Sequence, residues 1–218
     1  MTAGTVLALS GSNVTGDAPF SCALRLRGAV HEARSPAGQR GDLAALVDAV
    51  CRAHGVRPAD LTELRLDLGP GSYTGLRVAV TFVRFLQRFG GVPVLATDSL
   101  SLLATAALGA GTRLRPLLDA RRERFHTALL AATPGLGVLE APTALPLGEV
   151  LARAAAGDTF VVPAAVAAQH GDALRATGAA LLVATGVAAR DLFRAELPLL
   201  AATAAELEPK YLMGSYAE

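Results

Sequence analysis

A mixed α/β fold made of two related halves is the architecture that this 218-residue sequence predicts. Three observations carry the prediction. Apolar and polar residues alternate in three successive short runs near the start of the chain. Amphipathic runs of helical period then alternate with further strand-like segments. The same order returns, abbreviated, in the second half. A parallel dinucleotide-binding fold would need a helix directly after the first strand, and Gly11–Ala18 has no helical period. The sequence places the halves at residues 1–110 and 111–218.

Thr5–Leu9, Phe20–Leu26 and Ala29–Ala33 read as strands joined by glycine-containing turns. Leu43, Leu46, Val47, Val50, Cys51 and His54 then recur at helical spacing, with Asp42 placed to cap them. Leu64–Leu68 reads as a strand, Leu76–Phe89 as a long helix and Val92–Ala96 as a strand, and Asp98 or Ser99 opens another helix. In the second half, Arg113–Leu118 and Arg124–Ala132 form a hairpin, and Ala141–Pro146 reads as a loop within a Pro- and Gly-rich stretch. Pro146–Ala156 is helical, Asp158–Val162 extended, Val166–Thr177 helical and Ala179–Ala184 extended.

Composition narrows the function classes. A hydrophobic content of 52% indicates a filled core rather than disorder. No uncharged run reaches the roughly 18 residues that span a bilayer, and no Lys or Arg precedes Arg25, so a secretory signal is not expected. A net charge of +1 gives no bulk attraction to nucleic acid. Lys210 is the only lysine, which removes lysine-based catalysis elsewhere in the chain. Cys22 and Cys51 are far apart in sequence and read as buried reduced thiols of a cytoplasmic protein.

The most specific stretch runs from Leu68 to Arg77, with Gly69, Gly71 and Gly75 interleaved with Pro70, Ser72, Tyr73 and Thr74. Glycines allow positive φ and close backbone approach, so successive N–H groups can converge on an anion. Ser72 or Thr74 is placed to cap the next helix, whose N-terminus favours negative charge. No Lys-Ser/Thr pair follows the last glycine, so this is not a Walker A loop. Two readings stay open: a phosphate or nucleotide cradle formed by Gly69, Gly71, Ser72, Thr74 and Gly75, or a tight strand-to-helix turn.

The wording of this stretch, Gly-Pro-Gly-Ser-Tyr-Thr-Gly-Leu-Arg, resembles the signature of the TsaB family. Val6–Ser12 resembles that family's first strand, and Val94–Ala104 its strand and Ser-Leu helix start. Leu118–Arg122 resembles its Asp-Ala-Arg-Arg motif, and Pro209–Leu212 its C-terminal Pro-x-Tyr-Leu. The matches follow family order over most of the first 130 residues and the tail; residues 133–206 match only in general character. The resemblance implies the ribonuclease-H-like fold of the actin, Hsp70 and sugar-kinase superfamily. It also implies a non-catalytic subunit of the complex that installs threonylcarbamoyl on tRNA adenosine. Such a subunit would bind and stabilise a TsaD-like catalytic partner, work with a TsaE-like ATPase, and meet tRNA only through the complex. Alone it would be able to form a homodimer.

Chemistry expected of an enzyme of that superfamily is missing. Ser10 stands where a first-strand acid would help to hold a nucleotide's metal, and a hydroxyl supplies no such charge. Asp67, immediately before the glycine loop, is either a substitute in space for that acid or, the favoured reading, a strand-end acid facing solvent or an arginine. Ser99 and Leu103 occupy the places where the catalytic paralogue carries a His-x-x-x-His pair. His31, His54, His126 and His170 are scattered. No catalytic residue, cofactor or bound metal is therefore expected. The competing reading is an ATP-dependent phosphotransferase or a metal-dependent hydrolase of the same superfamily.

Two surfaces remain. Arg121 and Arg122, in Asp119–Arg124, are either a solvated turn or an anion site between the halves. In the long helix, Arg77, Arg84 and Arg88 lie within about 20° of one direction at 100° per residue. Val78, Phe82, Phe85 and Phe89 flank them on one side, and Leu76, Val80, Val83 and Leu86 on the other. A helix apolar on both sides of an arginine seam is either sandwiched within its own monomer or, the favoured reading, gives one stripe to its own core and one to a neighbouring subunit. The resembled family pairs through this helix and the one before it, which makes Leu46, Val50, Val78, Phe82, Arg84, Phe85 and Phe89 the interface candidates.

Overall fold

Two sheets with the same internal strand order organise the chain, seen in a computed structural model that describes residues 4–13, 18–36, 41–133 and 135–212. The first unit contains β1 (Val6–Ser10), β2 (Ser21–Leu26), β3 (Ala29–Arg34), α1 (Leu43–Ala53), β4 (Glu63–Asp67), α2 (Tyr73–Gly90) and β5 (Val94–Thr97). Its strands lie in the order β5-β4-β1-β2-β3, with β1 antiparallel to β2 and parallel to β4. The second unit contains α3 (Ser99–Ala104), β6 (Arg113–Asp119), β7 (Arg124–Ala131), β8 (Gly137–Pro146), α4 (Leu147–Arg153), β9 (Asp158–Pro163), α5 (Ala164–Arg175) and β10 (Ala180–Ala184). Its order is β10-β9-β6-β7-β8, the same pattern repeated. A last strand, β11 (Leu200–Ala202), pairs antiparallel with β5 at the edge of the first sheet.

Local sequence explains the elements of the first unit. Every residue of β1 is buried, as expected of a central strand with neighbours on both sides. In α1, Leu43, Val47, Val50 and Cys51 are buried at i, i+4, i+7 and i+8, and the Asp42 carboxylate accepts the Ala45 N–H at 3.0 Å as N-cap. In α2, the Ser72 hydroxyl accepts the Gly75 N–H at 3.3 Å, and Gly91 ends the helix in the left-handed conformation at φ +66°. The core gathers Leu7 and Leu9 of β1, Leu64 and Leu66 of β4, and Ala79, Val80 and Val83 of α2.

The second unit has an apolar core around Leu117, Phe160, Val162, Val166 and Leu174. Beside it lies an ionic cluster that no local sequence pattern announces. The fully buried guanidinium of Arg115 donates to both oxygens of Glu140 at 2.9 Å and to Asp158 at 3.2 Å. Arg113 donates to the other Asp158 oxygen at 2.8 Å. Burial alone would raise the carboxyl of Asp158; Arg113, the Ala155 N–H and Arg115 outweigh it and hold the group below its ordinary range.

Three expectations are corrected. The boundary falls between Asp98 and Ser99 rather than at 110, and Val187–Arg194 and Leu199–Lys210 return to the first unit instead of belonging to a contiguous 111–218 half. The reason is packing: all of α3 is buried in the second unit, whereas β11 extends the first sheet and Leu207 is buried in the first core. Ala141–Pro146 is the end of strand β8 and not a loop. Register shifts between Thr127 and Leu130 break the period-two signal, and Pro142 is tolerated because β8 is an edge strand. Among the described residues, no helix is long and apolar enough to cross a membrane.

Candidate functional site

The ends of β1 and β4 meet at the glycine loop. Asp67, the last residue of β4, is fully buried, which overturns its expected solvent-facing role. Its carboxylate accepts the Ser10 hydroxyl at 2.8 Å and the Gly69 N–H at 2.9 Å, so one side chain ties β1, β4 and the loop together. Ser12 lies 3.4 Å from Ser10, hydroxyl to hydroxyl, and its carbonyl accepts the Ser72 N–H at 2.8 Å. Gly69 takes φ +93°, and the Gly69–Pro70 peptide is cis.

Close backbone approach explains two of the glycines. A Cβ on Gly71 would run into the Ser12 carbonyl, and a Cβ on Gly75 into the Gly11 carbonyl. The loop thus folds around the chain's own Gly11–Ser12. The N–H groups of Gly69, Ser72, Gly75 and Leu76 all donate within the protein, the last to Ser72 O at 2.9 Å. Of the two hydroxyls placed to cap α2, Ser72 does so, while Thr74 is exposed in the first turn. The tail closes the loop from another side, because the Lys210 N–H donates to Leu68 O at 2.7 Å. What the arrangement does chemically is fix the start of α2.

The two stripes of α2 separate except at Phe82, expected on the outer one. Leu76, Val80 and Val83 are buried, and Leu86 and Phe82 pack against the same core at its edge. Val78, Phe85 and Phe89 face outward, Phe85 at 60% and Phe89 at 74% exposure, with their rings 4.6 Å apart. Beside them an open groove of about 710 Å³ is lined by Asp42, Leu43 and Ala44 of α1 and its cap, and by Arg77, Val78, Thr81, Phe82 and Phe85 of α2.

Three further interface candidates lie elsewhere. Val50 belongs to the core of the unit, and Leu46 is half-buried against it. Arg84 turns onto the returning tail, its Nε donating to Ala204 O at 2.9 Å, next to Gln87, which donates to Ala202 O at 2.9 Å. The sequence held no sign of this tail contact, because the partners are backbone carbonyls far along the chain.

Arg121 and Arg122 sit exposed at the β6–β7 turn, where Arg121, Arg122 and Glu123 all take positive φ. Asp119 shapes that turn by accepting the Arg121 N–H at 2.7 Å. Two of the histidines scattered in sequence meet in the fold, His31 stacking on His54 at 3.7 Å, whereas His170 meets Phe125 edge-on at 5.3 Å and His126 is buried in β7. Ser99 and Leu103 are buried in α3. The Cys22 thiol is pushed up to about 12, first by burial and then by nearby Cys51.

Known proteins share both the sequence pattern and the fold. Residues 40–133 match the family model described as TsaD, tRNA N6-adenosine threonylcarbamoyltransferase. Over 79 residues, 36% of the chain, it is 37% identical to the tRNA threonylcarbamoyladenosine biosynthesis protein TsaB of Bacillus subtilis (strain 168). That alignment spans 34% of the relative's length. Two solved structures from Pseudomonas aeruginosa share the fold. YeaZ has a TM-score of 0.75 at 23% identity, covering 96% of this chain and all of that one. A protein described as similar to peptidase YEAZ has a TM-score of 0.77 at 22% identity over 97% of this chain. The chain is similar to TsaB in sequence over about a third of its length and to the YeaZ structures in fold over nearly all of it. Its fold is the one that these YeaZ structures share, ribonuclease-H-like and actin-like. The family-model match covers α1, the glycine loop and α2, the elements that build the groove and the closed loop.

Proposed function

We propose that this chain is the non-catalytic subunit of a tRNA threonylcarbamoyladenosine assembly, binding and stabilising a TsaD-like catalytic subunit through the outer face of α2 and the adjoining α1 groove. The observation that carries the reading is the pair Phe85 and Phe89, large apolar rings held in water beside an apolar groove. Apolar surface of that kind marks a contact site, and aromatic anchors carry much of an interface's energy. The glycine loop supports the same reading, since the N–H groups of Gly69, Ser72, Gly75 and Leu76 donate within the chain and Ser10 supplies no carboxylate. A TsaE-like ATPase completes the assembly, tRNA is met through the complex in the cytoplasm, and a homodimer in isolation would use the same face.

Phe85→Glu tests the reading. It should give a folded chain, by circular dichroism, that no longer binds the TsaD-family subunit of the same cell in light scattering, because an unpaired charge is costly in an apolar contact. Unchanged binding overturns the proposal, and collapse of the fold would place Phe85 in the core of its own unit.

A further inference from the structure

Two histidines far apart in sequence become neighbours through the packing of α1 on the first sheet. His31 sits in β3, in register with Leu24 of β2, and His54 is the C-cap of α1. Successive strand residues point to opposite faces, so His31 shares the face of Cys22, Leu24 and Ala33, against which α1 packs. The rings lie 3.7 Å apart, centroid to centroid, with their planes 30° from parallel, and both residues are half-buried. They are the first unit's only imidazoles, since His126 and His170 belong to the second. Among the described residues, no hydrogen bond or ion pair engages either ring.

Two nitrogens that share one tetrahedral ion at about 2.0–2.1 Å each lie roughly 3.3 Å from one another. The separation of the rings is close to that spacing, and a side-chain rotation that widens their tilt aims one nitrogen of each at a common point. Both supports are firm: β3 is paired along its length with β2, and the His54 N–H donates to Cys51 O at 3.2 Å. The thiols on the same seam are poor ligands. A thiol coordinates as thiolate, and burial pushes Cys51 up and Cys22 up to about 12. No group of three or more His, Cys, Asp or Glu among the described residues could hold an ion as it stands, which leaves the other coordination positions to water.

We infer that His31 and His54 form a two-imidazole site for one divalent first-row transition ion, of the Zn²⁺, Ni²⁺ or Cu²⁺ kind, which fastens the edge strand β3 to the end of α1. Neutral imidazole suits these ions, whereas Mg²⁺ and Ca²⁺ take oxygen ligands. Open to water, the site exchanges its ion, unlike a closed structural centre with four protein ligands.

Equilibrium dialysis of the full chain against Ni²⁺ should show one ion bound per chain, with Mg²⁺ unable to compete. The Cu²⁺ form should show splitting from two nitrogens in electron paramagnetic resonance and no thiolate-to-copper absorption. His31→Gln should bind Ni²⁺ at least about tenfold more weakly, because losing even an outer partner of a metal ligand costs that much. His54→Phe keeps a ring against His31 but removes its nitrogens, so its equal loss of binding reports ligation and not packing. Circular dichroism checks the fold of both variants. Zn²⁺ should raise the Tm of the unaltered chain and of neither variant, as expected of an ion held only by the folded site. No binding by the unaltered chain, or binding that survives either substitution and so marks an adventitious ion only, overturns the inference. If a variant fails to fold, the copper spectrum decides: fewer than two nitrogens, or a thiolate band, overturns it. None of these outcomes bears on the docking reading, which Phe85→Glu tests.

Discussion

The two units repeat one topology and use it differently. In the first, β4 is followed by the glycine loop before α2 begins at Tyr73; in the second, β9 ends at Pro163 and α5 begins at Ala164 with no loop between. Helix α2 has 18 residues and turns Val78, Phe85 and Phe89 to solvent, whereas α5 has 12 and its exposed residues are Ala164, Ala165, Ala168, Gln169, Asp172 and Arg175. The ends of β1 and β4 are joined by a hydroxyl and a carboxylate, Ser10 and Asp67, while β6, β8 and β9 are joined by the Arg115 cluster. A duplicated sheet can thus keep its strand order while one copy carries a contact helix and the other is fastened by buried ions.

The largest effect that would break this comparison is loss of the ionic fastening. Asp158→Ala leaves Arg115 buried with half its partners gone, and removing one member of a buried ion pair costs about 3–5 kcal/mol. Urea unfolding read by a probe in the second unit should show that loss. A change below about 1 kcal/mol would mean that Glu140 alone suffices and that the cluster is not what holds the second sheet.

Acid should weaken the second unit next. Burial pushes the His126 imidazole from an ordinary 6.5 down to about 4, against a smaller opposing pull from Asp119. Its Nδ1 has no hydrogen-bond partner among the described residues. Above the ordinary value both folded and unfolded chains hold a neutral ring. As pH falls toward the folded value, the unfolded chain takes up a proton that the folded chain refuses, so stability drops, by on the order of 3 kcal/mol at most. Subtracting the stability–pH curve of His126→Phe from that of the unaltered chain should isolate this slope between the two values. Parallel curves would show that His126 accepts its proton in the folded state.

The sequence was most legible where spacing is local. Leu43, Val47 and Val50 placed α1 within its bounds, Ser72 was rightly placed to cap α2, and the stripes of α2 separated as the helical angles required except at Phe82, which packs against the core. Legibility failed where a residue's role depends on distant backbone. Arg84 looked like part of an outward seam, yet it reaches Ala204 across the returning tail. Asp67 looked like a strand end in water, and burial beside Ser10 became visible only once β1 and β4 were adjacent. β8 was hidden by a bulged register and a proline, and β11 is three residues long, too short to show a period.

The smallest effect sharpens the comparison through a matched pair of glycines. Gly75 opens α2 and Gly171 lies within α5, and both are buried. A Cβ on Gly75 would strike the Gly11 carbonyl, a backbone atom that no side-chain rotation can move. A Cβ on Gly171 would meet the Arg175 guanidinium at 3.2 Å, the far end of a long exposed side chain held only by an exposed pairing with Asp172 at 3.3 Å. Alanine is otherwise favoured over glycine inside a helix by about 1 kcal/mol. Gly171→Ala should therefore leave stability unchanged or raise it by up to about that amount. Gly75→Ala should lower it by about 1–3 kcal/mol as the junction of β1 and α2 is forced apart. Thermal or urea unfolding of the two variants side by side decides the matter. Equal tolerance at both positions would mean that the glycine loop is not closed upon β1, and that the first unit's junction is as slack as the second's.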